Sequence, residues 1–236
     1  MSSTVTEILQ ANLHRIRERI AVACARAGRD LRDVTMIAVT KYADIDWVRK
    51  LVDLGVTDLG ESRPQQLVAR DEMLSQDVHW HLIGHLQRNK VEMVLPVVSR
   101  IHSVDSVRLL EALDSGARKL GVRPRLLLEV NVSGEASKDG FAPSDLISAW
   151  PKICGLDNVE IDGLMTMAPH SEDLVDVRRV FRELRELRDR LASASQGTRP
   201  LPDLSMGMSG DFEIAIEEGA TIVRIGSSLF EGIANP

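Results

Sequence analysis

Short apolar segments of strand character alternate with segments of helical periodicity along almost the whole of this 236-residue chain, and that alternation leaves few folds open. The clearest strand signal, Val34-Thr35-Met36-Ile37-Ala38-Val39-Thr40, is rich in β-branched residues and almost wholly apolar, as a strand buried on both faces should be. Ahead of it Val5, Ile8, Leu9, Leu13, Ile16, Ile20, Ala23 and Cys24 recur at helical spacing. They predict a long leading helix with Thr4 or Ser3 as its cap and Gly28 as its stop. After the first strand the pattern predicts helix over 45–54 and strand over 58–60, then helix 63–74 and strand 78–83, helix 86–94 and strand 100–103, and helix 104–120 and strand 125–132. It closes with helix 144–154 and strand 159–165, helix 172–192 and strand 203–206, and helix 210–218 and strand 221–225. Eight strands separated by seven helices, with no repeat and no linker rich in Pro, Gly or Ser, predict an α/β fold: a single (β/α)8 TIM-type barrel domain over 1–236 with an additional N-terminal helix. The alternative is an open doubly wound sheet, against which stands the absence of Gly-x-Gly-x-x-Gly after the first strand.

Composition narrows the function classes. Aromatic residues make up 3% of the chain, too few for a carbohydrate-stacking groove or a single-stranded nucleic-acid platform. A net charge of −6 gives no general attraction to polyphosphate, so no nucleic-acid partner is expected, while a local anion site stays open. Cys24 and Cys154 are isolated, which excludes a disulfide scaffold and a cysteine-rich zinc module and points to a reducing, cytoplasmic setting. The first ten residues lack the basic start and apolar run of a secretory signal, and no stretch approaches the roughly 18 apolar residues of a membrane span. No membrane association is expected.

In a barrel the side chains at the C-terminal strand ends converge on one mouth. They are Lys41, Glu61 and Ser62, Gly84 and His85, Asn131 and Ser133, Met165 and Thr166, the run from Ser205 to Ser209, and the run from Arg224 to Ser227. Lys41 directly follows an apolar strand, so it either reaches out to solvent or is held in a site. An amine held in partly desolvated surroundings can attack an aldehyde and form a Schiff base. Ser205-Met206-Gly207-Met208-Ser209-Gly210-Asp211 and Arg224-Ile225-Gly226-Ser227-Ser228 fall after strands seven and eight, where barrel loops often bind phosphate through exposed N–H groups and hydroxyls. Taken locally, they also read as two glycine-containing turns with Ser209 capping a helix.

Together these residues resemble the pyridoxal 5′-phosphate (PLP) homeostasis proteins, whose barrel is like the N-terminal domain of alanine racemases. The resemblance is carried by Ala38-Val39-Thr40-Lys41, Gly60-Glu61, the run from Trp80 through His85 to Lys90, Val130-Asn131-Val132-Ser133-Gly134-Glu135, Ser137-Lys138 and Gly163-Leu164-Met165-Thr166-Met167. Most specific is the closing part, Leu204 to Ser209 with Asp211, then Val223 to Ser227. The resemblance implies PLP as cofactor, Lys41 as the lysine holding it in a Schiff base, and Ser209, Gly226 and Ser227 as the phosphate cradle. It also implies that Arg224 faces the pyridine nitrogen, where a cation keeps that nitrogen unprotonated and weakens the ring as an electron sink. Asn131, Met165 and Ser205 are implied wall residues. The family commonly has Asn after Gly-Glu near the phenolic oxygen of the ring, whereas this chain has Ser62, which donates a hydrogen bond but reaches less far.

The function implied is storage, buffering or delivery of PLP within vitamin B6 homeostasis, with PLP-dependent apoenzymes as candidate recipients. The rival is a PLP-dependent amino-acid racemase. Racemisation needs bases on opposite faces of the cofactor, and the only tyrosine, Tyr42, follows Lys41 directly and is expected to point to the other side of the strand. A full barrel leaves no length for a second domain, so a non-catalytic monomer is expected. Other ionisable residues carry less. His79, His81 and His85 are strand-spaced and interrupted by Gly84, a poor metal-ligand spacing. The alternating charges over 178–190 read as the solvated face of an amphipathic helix. Lys138 sits in a polar loop, as a lid residue or as plain surface.

Overall fold

Parallel strands cannot be joined by a tight turn, so each strand here must be followed by a crossover, and the chain supplies a helix at every one. The computed structural model describes residues 4–74, 77–135, 138–169 and 173–233. Its strands are β1 (Thr35–Val39), β2 (Asp58–Glu61), β3 (His79–Leu82), β4 (Val98–Val104), β5 (Arg125–Glu129), β6 (Glu160–Met165), β7 (Asp203–Ser205) and β8 (Ile222–Ile225). They pair in sequence order, all parallel, and β8 returns to β1 with Ile37 opposite Arg224 and Ala38 opposite Ile225. That seam closes the barrel and excludes the open sheet.

Period-two alternation sorts each strand between two environments. Ala38, Leu59, Trp80, Leu126, Leu128, Leu164 and Val223 face outward into the core shared with the helices. Ile37, Leu127, Met165 and Ile222 form a separate apolar cluster inside the barrel. At the N-terminal end of the barrel Arg100 pairs with Asp203 (2.6 Å) and Asp162 (3.0 Å), and Arg125 with Asp162 (2.7 Å).

The helices are α1 (Val5–Arg26), α2 (Ile45–Asp53), α3 (Pro64–Met73), α4 (Val91–Val94), α5 (Val107–Leu120), α6 (Pro143–Cys154), α7 (Leu174–Ala194) and α8 (Phe212–Glu217). Thr4 caps α1 through a capping box with Glu7. The stripe Leu9, Leu13, Ile16, Ile20 and Ala23 is buried, and α1 packs against both α8 and α2, beside the short α8. Asn12 donates to the carbonyls of Leu229 (3.0 Å) and Glu231 (2.9 Å), and the Arg19 guanidinium lies 4.6 Å from the Phe212 ring centroid. The extra helix therefore anchors the segment that follows β8. Among the described residues no helix is long and apolar enough to cross a membrane.

Several local expectations are corrected. The helix predicted over 86–94 is a 3-10 turn, Arg88–Lys90, followed by the single turn of α4. Val104 ends β4 rather than opening a helix, and the strand predicted to 132 stops at Glu129, beyond which Val130 only bridges Phe141. The charged face of α7 is not simply solvated: Arg178 (3.0 Å), Arg185 (3.2 Å) and Arg182 (3.6 Å) surround the buried Glu218 just after α8. The expected roles of Ser3, Ser137 and Glu172 lie outside the described residues.

Candidate functional site

Lys41 sits two residues beyond β1, in a turn closed by the Ala43 N–H donating to the Thr40 carbonyl (2.8 Å). What holds this turn is Arg70, on the buried side of α3 with Leu67. Its guanidinium donates to the carbonyls of Thr40 (2.7 Å) and Ala43 (2.5 Å) and pairs with Glu61, and the Gln66 amide donates to the Lys41 carbonyl (3.3 Å). Glu61 shares the outward face of β2 with Leu59, so it points behind the strand and not into the mouth; Thr40 Oγ1 donates to it at 2.6 Å. Burial pushes its carboxyl up, against the pull of the Thr40 hydroxyl and the Arg70 charge.

The C-terminal mouth opens into a cavity of about 930 Å³. Of the nine residues expected to bind the cofactor, six line it: Lys41, Ser62, Ser209, Arg224, Gly226 and Ser227. The Ser209 hydroxyl accepts from the backbone N–H groups of Gly226 (3.2 Å) and Ser228 (3.4 Å), so amides and hydroxyl converge as an anion cradle would require. Gly207 has φ +93°, and a Cβ there would lie 2.6 Å from the Ala215 side chain and 2.9 Å from the Phe212 Cα, so glycine alone brings the loop this close to α8. The Met208 N–H donates to Asp211 Oδ1 (2.5 Å), whose carboxyl is raised by burial against that bond and the Arg224 charge.

An apolar rim completes the cavity. Trp47 and Phe230 stack with centroids 6.1 Å apart, and Met167, Leu174 and Tyr42 lie at the opening. The position of Tyr42 is a correction. Because β1 ends at Val39, strand alternation does not extend to residue 42; the Tyr42 ring lies 5.1 Å from Lys41 Nζ and lines the same cavity.

Arg224 lines the cavity from inside the barrel and is almost fully buried. It donates to the Ser205 carbonyl (2.9 Å) and hydroxyl (2.6 Å) and to the Thr166 carbonyl (3.0 Å). Burial lowers its pKa to about 10, with Glu129 and Asp211 opposing, so it is a cation at neutral pH. Glu129, on the inward face of β5 with Leu127, is pushed up to about 7, chiefly by burial and then by Asp139, against the pull of Arg224.

Asn131, Met165 and Ser205 are not among the described lining residues. Asn131 folds its own loop, donating to the carbonyls of Glu135 (2.7 Å) and Lys138 (3.2 Å). Met165 belongs to the apolar cluster inside the barrel, and Ser205 stands behind Arg224. His79 and His81 approach Asp58 (3.5 and 3.1 Å) while His85 pairs with Asp105 (3.0 Å), so the three imidazoles do not meet. Lys138 is tied to Glu135 (2.9 Å) and to the Met167 carbonyl (3.3 Å). Arg70, Trp47 and Phe230 are not singled out by their sequence pattern; a charged residue three positions after Leu67 on an otherwise apolar stripe is the signal that could have found Arg70.

An amine, an anion cradle and a fixed cation around one cavity suit an aromatic aldehyde with an anionic tail, and barrel and cavity together define the class of the alanine racemase N-terminal domain. The family model for that domain matches residues 11–233. A pyridoxal phosphate homeostasis protein of Aquifex aeolicus is 43% identical over 219 residues, covering 92% of this chain and 95% of that one. One from Pseudomonas aeruginosa is 38% identical over 230 residues, covering 97% and 95%. The structure of PipY from Synechococcus elongatus with PLP bound matches with a TM-score of 0.80 at 35% identity, over 91% of this chain and 99% of that one. An alanine racemase of Clostridium difficile, 13% identical, matches 97% of this chain and 58% of its own with a TM-score of 0.76, a likeness of fold alone. The chain belongs to the pyridoxal phosphate homeostasis protein family.

Proposed function

We propose that this chain is a single-domain PLP carrier that holds the cofactor in the cavity at the barrel mouth and serves intracellular vitamin B6 homeostasis. The observation that carries the reading is that Lys41, Ser209, Gly226, Ser227 and Arg224 line one cavity large enough for PLP. In this reading the Lys41 amine bonds to the aldehyde carbon, the aldehyde oxygen leaves as water, and the link is a Schiff base. Ser209, Gly226 and Ser227 receive the phosphate, the Ser209 hydroxyl being held in place by the Gly226 and Ser228 amides, and Arg224 presents its charge to the pyridine nitrogen. Bound PLP supplies an electrophilic carbon and an electron-withdrawing ring; a guanidinium beside the nitrogen weakens the second property.

That weakening supports a carrier over a catalyst, as does the company of Lys41 and Tyr42: the two groups lie together, where racemisation needs bases on opposite faces. Asn131, Met165 and Ser205 then act behind the wall, shaping the loop and floor. The same reading makes the protein a cytoplasmic monomer, with Cys24 and Cys154 as free thiols, that passes PLP to PLP-dependent apoenzymes. Titration of the purified protein with PLP tests it. A new absorption band that Lys41→Ala abolishes is expected; an unchanged band in that variant overturns the Schiff-base assignment. Sustained interconversion of alanine enantiomers by wild type, lost in Lys41→Ala, would overturn the choice of carrier over racemase.

A further inference from the structure

Behind Arg224 the barrel lumen holds an unbroken file of polar groups. Arg224 Nη1 is 2.6 Å from Ser205 Oγ, Ser205 Oγ is 2.9 Å from His102 Nδ1, His102 Nε2 is 2.9 Å from His81 Nδ1, and His81 Nε2 is 3.1 Å from Asp58 Oδ1. Four of the five residues are almost fully buried, His102 and Ser205 completely, and Asp58 opens the strand at the opposite end of the barrel. The charged neighbours are Arg100 and His79 at His81, and Arg100 and Arg224 at His102. Burial keeps both imidazoles below their usual pKa, so they are neutral at pH 7. Burial also works against the Asp58 carboxylate, but the hydrogen bond from His81 and, once they are protonated, the charges of His81 and His79 outweigh it, so its pKa lies below the usual carboxylate value and Asp58 is ionised at pH 7.

The two ends then dictate everything between them. A guanidinium only donates and a carboxylate only accepts. With neutral rings a single proton arrangement satisfies all four contacts: Arg224 donates to Ser205, Ser205 to His102 Nδ1, His102 Nε2 to His81 Nδ1, and His81 Nε2 to Asp58. Exchanging the tautomer of His81 turns a lone pair toward the carboxylate; exchanging that of His102 sets an N–H against the Ser205 hydroxyl and a lone pair against His81. Either leaves a buried polar contact unsatisfied, at a cost of about 1–3 kcal/mol.

We propose that His102 and His81 are positioning residues for Arg224: the relay from Ser205 to Asp58 fixes both imidazoles as Nε2–H tautomers and pins the guanidinium at the cavity floor. Three of its five N–H groups are engaged by Ser205 and Thr166, the other two have no hydrogen-bond partner among the described residues, and the residue lines the cavity. The purpose of the pinning rests on the PLP reading, in which Arg224 faces the pyridine nitrogen; the relay itself does not.

The test is nitrogen NMR of the protein with no PLP added, so that its outcome is the same whether or not the chain binds the cofactor. With 15N-histidine, His81 and His102 are expected as neutral Nε2–H tautomers at pH 7.5; an Nδ1–H form or a protonated ring at either position overturns the proposal. With 15N-arginine, the Arg224 side-chain signal should shift or vanish in His102→Leu and Ser205→Ala and return to its wild-type position in His102→Gln, whose amide can donate and accept as the imidazole does. An Arg224 signal unmoved by His102→Leu overturns the proposal as well. The tautomer measurement needs only wild type, so it decides even where a variant fails to fold.

Discussion

Glu129 places a titration near neutrality inside the barrel, and its consequence for stability can be worked from its surroundings. Its carboxyl is raised from 4.5 to about 7, which corresponds to about 3 kcal/mol at ~1.4 kcal/mol per pH unit. The group is 5% exposed, so solvent screening leaves that figure largely intact. Because the folded-state pKa lies above the unfolded one, the unfolded chain loses this proton first as pH rises. The favourable contribution is complete below pH 4.5 and is lost as pH climbs to about 7. Glu129→Gln keeps the shape and removes the charge. Urea unfolding from pH 5 to pH 8 should therefore show wild type losing about 2.5 kcal/mol relative to the variant, the rest having been lost below pH 5, with equal m-values. Parallel stability curves across that range would refute a buried, late-titrating Glu129.

Gly163→Ala should destabilise by about 3 kcal/mol or more, since its Cβ would lie 1.8 Å from the Asp203 carbonyl oxygen where β6 pairs with β7; thermal melting should fall by roughly 6–12 °C. Arg70→Met leaves Glu61 buried without its cation and should cost about 3–5 kcal/mol in urea unfolding, part of it recovered in the double variant with Glu61→Gln. A double variant no more stable than Arg70→Met alone would count against that pairing. Gly84→Ala puts a Cβ 2.4 Å from the Ser62 carbonyl oxygen, on the cavity wall, and should weaken PLP uptake in a spectral titration by tenfold or more, about 1.4 kcal/mol. Uptake equal to wild type would show that the wall tolerates the displacement.

Legibility in the sequence followed how local the deciding physics was. The apolar run of β1 and the stripe of α1 declare themselves because burial on two faces or on one face leaves its period in the residues. The segment 86–94 misleads because Leu86, Val91 and Val94 are all buried, yet the chain reaches them through a 3-10 turn. Tyr42 misleads for a related reason: Thr40 makes the last bond to β2, its N–H donating to the Gly60 carbonyl (2.9 Å), and the chain then turns, so alternation does not reach residue 42. Residues gathered at the mouth were readable because barrel topology sends every strand end there, as Lys41, Ser209 and Arg224 show. Arg70 and His102 were not, since their partners come from other strands and loops: a charge on the buried stripe of α3 marks Arg70 as unusual, but nothing along the chain shows that it clamps Thr40 or that the His102 imidazole meets Ser205.

The most direct measurement loads the purified protein with PLP, reduces it with borohydride and locates the modified residue by peptide mass spectrometry. Reduction fixes a Schiff base as a stable secondary amine, and the expected result is a single pyridoxyl phosphate adduct on Lys41. Finding the adduct on another lysine, or no adduct at saturating PLP, would contradict the assignment of this cavity.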